Sequence, residues 1–386
     1  MTTLTAERTE FRWDRLTYAS ALSYCLLVAG LSVGIVLPEL REQFHINGVL
    51  AALHGSTFGL GLLVMGLRGV RIIDRVGRRR AFAIATTAMI AGVTLLCVGP
   101  TWQVTLFGTA VSGMGGALLN MLMPGVISDH HGEHRAIAFA AVNGVPAVGG
   151  VAFSIVIGGA LGAGWSWRGP FLALTGAFAL AFFAVARGVH LPEGSREGAF
   201  TLAHLTRREV YVPFLFMINA TLTEFPVGVW GVTYLREVGG ASAGMAPVLA
   251  TGFGVAMFLS RILLSRMLSI VRGWAISLGF VIAALGATAM CVLPGVPMKV
   301  AGIAMVGFGG GVLYPLSVDR FYEQAGHVMD SVSLGAYTAF ASGVAVTLGP
   351  LALGVLADSV GLRTAVLIVP ALGLLGAYTQ RPRSRY

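Results

Sequence analysis

The stretch Ile73-Asp74-Arg75-Val76-Gly77-Arg78-Arg79-Arg80 separates two long apolar segments of the chain. It places an acid, four arginines and a glycine in a tight connection between these segments. A membrane helix that ends in such a cluster has its end at a charged surface, and the positive-inside rule assigns that surface to the cytoplasm. The stretch therefore predicts a membrane protein with a short cytoplasmic turn at this point.

The composition excludes an ordinary soluble protein. Of the 386 residues, 56% are hydrophobic and only 11% are charged, whereas a soluble domain carries about 25% charged residues. Apolar runs recur along the whole chain, so the lipid bilayer is the expected solvent for most of it. The net charge of +9 is typical of basic cytoplasmic loops, and no nucleic-acid partner is expected. No removable signal peptide is expected, because no short apolar segment with a cleavage site is visible near the N-terminus.

Twelve apolar segments are long enough to span a bilayer, which takes about 20 residues each. Their long unbroken runs lack the period-2 alternation of barrel strands, so the sequence predicts an all-α membrane protein. The segments cover roughly residues 17–37, 48–69, 81–99, 103–127, 136–161, 168–189, 211–234, 244–264, 274–293, 298–318, 331–357 and 363–379.

The basic residues indicate how these spans are oriented. With both termini in the cytoplasm, 21 of the 26 lysines and arginines fall in cytoplasmic tails, connections and adjoining span ends, and five fall on the other side. Basic residues accumulate on the cytoplasmic side of membrane proteins. The sequence therefore predicts a multi-pass protein with both termini in the cytoplasm.

The chain contains an internal repeat. The run GMGGALL at 113–119 recurs as GFGGGVL at 307–313, which is 194 residues later. Gly-Ala-Leu at 159–161 recurs as Gly-Val-Leu at 354–356, which is 195 residues later. The shared offset predicts two homologous six-helix bundles, residues 1–189 and 211–386, joined by a cytoplasmic linker at 190–210.

Several motifs follow the order and spacing of a known family. The loop Asp74-Arg75-Val76-Gly77-Arg78-Arg79 resembles the signature between helices 2 and 3 of the major facilitator superfamily. Pro-Glu-Leu at 38–40, Trp-Arg-Gly-Pro-Phe at 167–171 and Leu-Ala-Asp at 356–358 are also typical of that family. The resemblance covers essentially the whole chain. It implies twelve transmembrane helices in two pseudo-symmetric six-helix bundles, which transport a small molecule by alternating access.

The resemblance also implies a cytoplasmic gate at this loop. In the family, such a cluster resembles a latch that ties the two halves together when the transporter faces outward. Its members here are Asp74, Arg75, Gly77 and Arg78, and Asp129 at the inner end of helix 4 is the expected partner of Arg75 or Arg78. In the alternative interpretation, the arginines serve only to set the topology.

A second element concerns the direction of transport. Val-Pro-Ala-Val-Gly-Gly at 145–150 resembles an element of proton-coupled drug and metabolite exporters. Pro146 frees a backbone carbonyl and kinks the helix, and Gly149 and Gly150 permit close packing at the kink. The resemblance favours export, and a kink that serves only packing is the alternative. Such exporters usually carry an arginine where this chain has Gly108, so any proton relay is built differently or is absent.

Glu224 is the only acid near the centre of a span. Ionisable residues at this depth are costly and face the protein interior. Desolvation favours the protonated carboxyl, as a proton carrier requires, and direct substrate binding or a static ion pair are the alternatives. His54 in the second span is a candidate for proton relay or substrate binding, while a hydrogen-bonded structural histidine is the favoured interpretation.

Further side chains are candidates for the wall of a central cavity. Asn120 and Tyr314 occupy equivalent positions of the repeat and are expected to oppose each other across the cavity. Arg261, near the inner end of the eighth span, is expected to extend toward the membrane interface. The remaining candidates are Tyr24, Asn143, Asn219, Trp230 and Tyr337.

No metal site, cofactor or catalytic residue is predicted. In the run from Asp129 to Arg135, His130 and His134 are spaced to share a helix face, but Gly132 and the loop position argue against a rigid site. The three cysteines lie within apolar spans and form no CxxC pair. No nucleotide-binding or hydrolase motif occurs in a suitable context, so enzymatic activity is not expected.

These features predict a monomeric secondary transporter of a bacterial inner membrane. The favoured function is export of a small organic solute, with protons as the coupling ion. The alternatives are a proton-coupled importer or facilitator of a small metabolite and, with less support, a non-transporting sensor. Few charges are expected in the cavity, which favours a neutral or weakly charged amphipathic solute.

Overall fold

The computed structural model describes residues 11–192, 202–271, 274–329 and 331–380. Within these residues, twelve helices are long and apolar enough to cross a membrane, which confirms the predicted all-α fold class. In chain order they are α1 (Arg15–Phe44), α2 (Gly48–Val76), α3 (Arg78–Val98), α4 (Trp102–His134), α5 (Ile137–Gly162), α6 (Arg168–Ala186), α7 (Arg208–Glu237), α8 (Met245–Leu263), α9 (Ala275–Val292), α10 (Val296–Ala325), α11 (Ser333–Val360) and α12 (Leu362–Thr379).

Local sequence signals explain where several helices begin and end. Asp14 caps the start of α1 by accepting a hydrogen bond from the Thr17 amide at 2.8 Å. Asn47 caps α2 in the same way through the Leu50 amide at 2.9 Å. Between α2 and α3 the chain turns at a glycine with φ +79°, a conformation that side chains disfavour. Gly77 is therefore the single residue between the end of α2 and the start of α3.

Several helices extend beyond their predicted apolar segments. Helix α2 continues to Val76, seven residues past the predicted end at 69, and it carries Arg71 and Asp74 on the way. The hydropathy rule ends a span where charged residues begin, whereas backbone hydrogen bonding continues the helix past the hydrocarbon region. The extension brings the charged loop to the end of a rigid helix.

The internal repeat is visible in the packing of α3 on α4 and of α9 on α10. A Cβ added at Gly108 would meet the Gly92 carbonyl oxygen at 2.6 Å, so only glycine allows this approach. A Cβ added at Gly302 would likewise meet the Gly286 carbonyl oxygen at 2.6 Å. The second pair lies 194 residues after the first, which is the offset found in the sequence. Both sets of six helices thus share the same helix contact.

The twelve spans define two faces of the molecule. We call the face with the α2–α3 turn at Gly77 and the α4–α5 turn near Gly132 the arginine-rich face, and the other end the opposite face. Helices α2 and α11 run antiparallel and pack closely, with Gly59 against the backbone of Thr347. Helix α5 packs on α8, where a Cβ at Gly158 would meet the Gly244 carbonyl oxygen at 2.6 Å. These contacts join the first six helices to the last six.

The division into 1–189, 190–210 and 211–386 stays a prediction. Residues 193–201, the middle of the expected linker, lie outside the described part of the chain. The described end of the linker contains a short 3-10 helix, Leu202–Thr206, before α7 begins.

Candidate functional site

A cavity of about 2090 Å³ opens on the arginine-rich face between the first and the last six helices. Its mouth includes Asp74, the arginines 78–80 and Asp129. Its deeper wall combines apolar and polar side chains from both sets of helices. Its polar members are Asn120, Ser128, Asn143, Arg261, Tyr314, Asp319, Tyr322, Thr338 and Ser342.

Ion pairs between α1 and α7 close the opposite face. Arg236 binds Glu39, and the Arg236 side chain also lies 3.7 Å from Glu42. Arg41 binds Glu237 next to this pair. The Arg236 and Glu39 side chains are only about one-fifth exposed, with values of 22% and 19%, so solvent screens their pairing only in part. The cavity is therefore open at one face while charged contacts join the helices at the other.

A capping contact strengthens this closure. The Asp358 carboxylate at the end of α11 accepts hydrogen bonds from the amides of Gly48 at 2.7 Å and Val49 at 3.0 Å. These amides start α2, where free N–H groups and the helix dipole attract a negative charge. A Cβ at Gly48 would meet Asp358 Oδ1 at 2.6 Å, so the glycine lets the carboxylate approach. Asp358 thus joins the first and the last six helices at the opposite face.

Glu224 lies buried on α7, with 8% of its surface exposed. It packs directly on α10 at Gly310. The glycine is required there, since an added Cβ would clash with Glu224 Oε2. Its Oε2 atom is buried and has no hydrogen-bond partner among the described residues. An unpartnered buried carboxylate is costly, so this position favours the protonated form unless a cation compensates.

Arg261 supplies such a cation, and its predicted position at the membrane interface is wrong. Its side chain lines the cavity and its Nε donates a hydrogen bond to the Gly311 carbonyl oxygen at 3.1 Å, whereas it was expected to extend toward the membrane interface. Glu224 packs on the adjacent Gly310, so the carboxyl and the guanidinium meet neighbouring residues of α10. A charged residue inside the eighth span was the available signal, and only the packing of α8 on α10 shows which way it points.

Three of the predicted wall residues line the cavity. Asn120, Asn143 and Tyr314 are all part of its wall, so the repeat-equivalent pair Asn120 and Tyr314 does border the same space. The Tyr314 hydroxyl accepts a hydrogen bond from Ser342 on α11 at 3.0 Å. Tyr314 lies one helical turn after Gly310, so the wall begins next to the Glu224 site.

Four other candidates lie outside the cavity wall. The Trp230 indole donates to the Pro350 carbonyl oxygen at 3.2 Å, and the Asn219 amide donates to the Leu372 carbonyl oxygen at 3.2 Å. Tyr24 is buried in a core of the first six helices, and Tyr337 packs against aromatic rings of the last six. In this conformation all four side chains fill helix interfaces.

His54 has the environment of a structural histidine. Its Nδ1 lies 3.0 Å from the Leu50 carbonyl oxygen and its Nε2 lies 3.0 Å from Thr105 Oγ1. The ring is 1% exposed and borders a small cavity of about 20 Å³ rather than the large one. A role for His54 in proton relay stays untested, and the hydrogen bonds favour the structural interpretation.

The predicted gate residues form one contact on the arginine-rich face. Arg78 Nη1 lies 2.7 Å from Asp129 Oδ2 and also donates to the Pro192 carbonyl oxygen at 3.0 Å. Arg78 and Asp129 both belong to the first six helices, so this pair does not tie the two halves together. Asp74 and Arg75 are exposed and have no ion pair within the described part of the chain. With the cavity open at this face, the described residues form no ion pair that joins the two halves here.

The close packing expected at Gly149 and Gly150 lies elsewhere on α5. An added Cβ would meet Phe178 at 3.6 Å at the first glycine and Val28 at 3.5 Å at the second, which are ordinary contact distances. The glycine contact that tolerates no side chain is the one between Gly158 and Gly244, near the opposite face. Pro146 lies inside the helix as predicted.

Known membrane transporters are similar to this chain in sequence and in architecture. A sequence model of the Major Facilitator Superfamily matches residues 19–238, more than half of the chain. The chain belongs to this superfamily, whose members are membrane transporters. It is 25% identical to the uncharacterized transporter y4wD of Sinorhizobium fredii (strain NBRC 101917 / NGR234), over 88% of this chain and 90% of that protein. It is 26% identical to the drug efflux pump JefA of Mycobacterium tuberculosis (strain CDC 1551 / Oshkosh), over 59% of this chain and 42% of that pump.

Solved structures share the fold. A bacterial homolog of the human lysosomal transporter Spinster, in an inward-facing and occupied conformation, superposes with a TM-score of 0.76 at 15% identity, covering 95% of each chain. A D-xylose-proton symporter superposes with a TM-score of 0.71 at 16% identity, covering 95% of this chain and 96% of that one. At these identities the likeness concerns the fold alone. The chain is thus a multi-pass transporter of the major facilitator type.

Proposed function

We propose that this transporter exports a small organic solute across the cytoplasmic membrane in exchange for protons. The observation that carries the proposal is Glu224, a buried carboxyl with an unpartnered oxygen, next to the wall of a large cavity open at one face. Glu224 is buried, which makes a charge costly, while the Arg261 guanidinium binds the carbonyl of Gly311, next to the Gly310 on which Glu224 packs, and attracts a negative charge. Because the two influences oppose each other, a change of cavity access or a bound solute can shift the proton on or off this carboxyl.

The arginine-rich face is assigned to the cytoplasm, with both termini there. The positive-inside rule supports this assignment, because most of the basic residues lie toward that face. With that orientation the structure faces inward, and the ion pairs of Arg236 and Arg41 lie on the outside.

Two features support export. The drug efflux pump JefA is among the relatives, and the element 145–150 resembles one found in exporters. The standard helix-4 arginine of such exporters cannot be accommodated here, since Gly108 packs on the Gly92 carbonyl at 2.6 Å. The proton site is therefore assigned to the last six helices, at Glu224. The sequence predicted few charges in the cavity, but charged residues line it, with Arg261 and Asp319 in the wall and Asp74, Asp129 and the arginines 78–80 at the mouth. The amide, phenol and apolar groups that lie beside them suit an amphipathic solute.

Solute-driven proton movement tests coupling and direction together. Purified protein is reconstituted in liposomes that contain a pH-sensitive dye, and a panel of antibiotics, nucleosides and sugars is applied as gradients. If the solute is exchanged for protons, at least one solute that flows down its gradient should drive protons in the direction opposite to its own flow. Proton movement in the same direction as the solute would indicate the alternative, an importer. Solute uptake without any proton movement would contradict coupling.

The α2–α11 contact gives alternating access a physical basis. Asp358 ends α11 and caps the start of α2 at the outer face. Asp74 holds the corresponding position near the end of α2, and because the two helices are antiparallel, it is placed to cap the start of α11 when the inner face closes. One carboxylate cap would then form in each conformation.

Replacement of the inner cap should block the cycle. Asp74→Asn and Arg78→Ala are each expected to reduce transport to near background, because closure of the inner face loses its charged contacts. Membrane insertion and topology should survive, since most of the basic residues remain. Arg80→Ala is the matched control, because it removes one arginine of the same loop outside the proposed latch and should keep transport. Normal transport in both latch variants would leave the cluster with a topological role alone.

A further inference from the structure

Asp14, His130 and His131 converge on the arginine-rich face, where the start of α1 meets the end of α4. Each offers one ligand atom, and these three atoms lie within 4.8 Å of one another. The Nε2 atom of His130 is 2.5 Å from Asp14 Oδ2, and the two histidine rings have centroids 4.8 Å apart. Asp14 and His130 are 116 positions apart in the sequence, so only the fold brings them together.

The carboxylate is held in place by its capping role. Asp14 Oδ1 accepts hydrogen bonds from the amide of Thr17 at 2.8 Å and from its hydroxyl at 2.6 Å. This leaves Oδ2 directed at His130. These two hydrogen bonds, together with the contact to His130, fix the orientation of the carboxylate.

The second imidazole is also oriented. His131 Nε2 lies 3.0 Å from Thr17 Oγ1, and its ring packs on Phe11 with centroids 5.5 Å apart. Because the Thr17 hydroxyl already donates to Asp14, its oxygen acts as an acceptor for His131. The Asp14 and His130 side chains are 43% and 35% exposed, so an ion and completing water ligands can enter from solvent.

We propose that Asp14, His130 and His131 form a binding site for a divalent transition-metal ion, with Zn²⁺ as the best match. Two imidazoles and one carboxylate are a ligand set that Zn²⁺ takes at about 2.0–2.2 Å, with a further position for water. The nitrogen ligands disfavour Mg²⁺ and Ca²⁺, which prefer oxygen. The Asp14 and His130 side chains are partly exposed, so they have room to turn toward an ion.

The site differs from the one that residue spacing suggested. His130 and His134 are four residues apart, but the structure pairs His130 with its neighbour and with the first helix instead. The bound ion clamps the start of α1 to the end of α4, one residue from Asp129, which binds Arg78. The metal site therefore borders the proposed gate while its binding does not depend on transport.

Zinc titration of the full chain tests the site. Tag-free protein in detergent is titrated with Zn²⁺ by calorimetry and by competition with a chromophoric chelator, and thermal unfolding is followed with and without Zn²⁺. The wild type should bind one Zn²⁺ per chain and unfold at a higher temperature when it is bound. His130→Ala, His131→Ala and Asp14→Asn should each weaken binding at least about tenfold, since even residues that only orient metal ligands change affinity by that factor.

The controls separate ligand loss from misfolding. Asp14→Asn keeps a side chain that caps helices as well as Asp, so the start of α1 is retained while the charge is lost. His134→Ala removes a neighbouring histidine outside the cluster and should bind Zn²⁺ as the wild type does. No saturable binding by the wild type, retained affinity in all three cluster variants, or an equal loss in His134→Ala would each overturn the site.

Discussion

Glu224→Gln is expected to reduce proton-coupled transport by a factor of roughly a hundred or more, the scale on which a positioned proton-transferring side chain contributes. Glutamine keeps the shape of the side chain against Gly310 but cannot release or accept the proton. Glutamine stays neutral at every pH, so the variant never has to bury a charge and we expect an unchanged or higher unfolding temperature. The measurement is solute-driven proton flux in liposomes at several pH values, where the variant should show no pH dependence.

A matched control lies on the same helix. Glu209 is exposed in the first turn of α7, and Glu209→Gln should leave transport unchanged. A thermal-shift titration with the transported solute separates two roles of Glu224. If solute binding persists in Glu224→Gln while coupling is lost, the residue carries the proton. If solute binding is lost as well, Glu224 contacts the solute. If the proton flux of Glu224→Gln keeps the pH dependence of the wild type, Glu224 has no part in coupling.

Combined replacement of Arg236 and Asp358 is expected to open the outer face. Arg236→Ala removes the pairs with Glu39 and Glu42, and Asp358→Ala removes the carboxylate that caps α2. The partly buried ion pair and the carboxylate at a helix N-terminus each contribute about 1 kcal/mol. Their loss, about 2 kcal/mol together, should shift the population from inward-facing to outward-facing roughly thirtyfold.

A distance between spin labels reports this shift. Trp165 precedes α6 and Met298 lies in the first turn of α10, both near the opposite face, and they are 68% and 44% exposed. Labels on cysteines at these positions, in a background without the three native cysteines, should be farther apart in the double variant. Glu133→Gln on the inner face is the control, and it should keep the wild-type distances. Identical distance distributions in the double variant would contradict the assigned role of these contacts.

Much of the fold could be predicted because its determinants are local. The twelve spans follow from the length of each apolar run, and the repeat follows from comparing the chain with itself. Of the site, Glu224 was identifiable because an acid in the middle of a span is costly wherever it faces. Asn120 and Tyr314 were identifiable because the repeat places them at equivalent positions.

The other site contacts depend on side-chain direction and on distant partners. Arg261 was expected at the membrane interface, but α8 packs on α10 so that the guanidinium reaches Gly311 and the cavity. Trp230 was a wall candidate, yet the face of α7 that carries it is directed at Pro350. Composition indicates that such residues face the protein interior but does not say which neighbour they meet.

The sequence by itself determined the membrane location, the number of helices, the basic face and the family, because hydropathy, charge and motif spacing are properties of short segments. Only the tertiary structure decided which face is open, which residues close the other face and where Asp14 meets the two histidines. The Asp358 carboxylate and the Gly48 amide are 310 positions apart, and Arg41 and Glu237 are 196 apart. Contacts at such separations arise from how two bundles tilt against each other, and alternating access requires that tilt to change while the sequence stays the same.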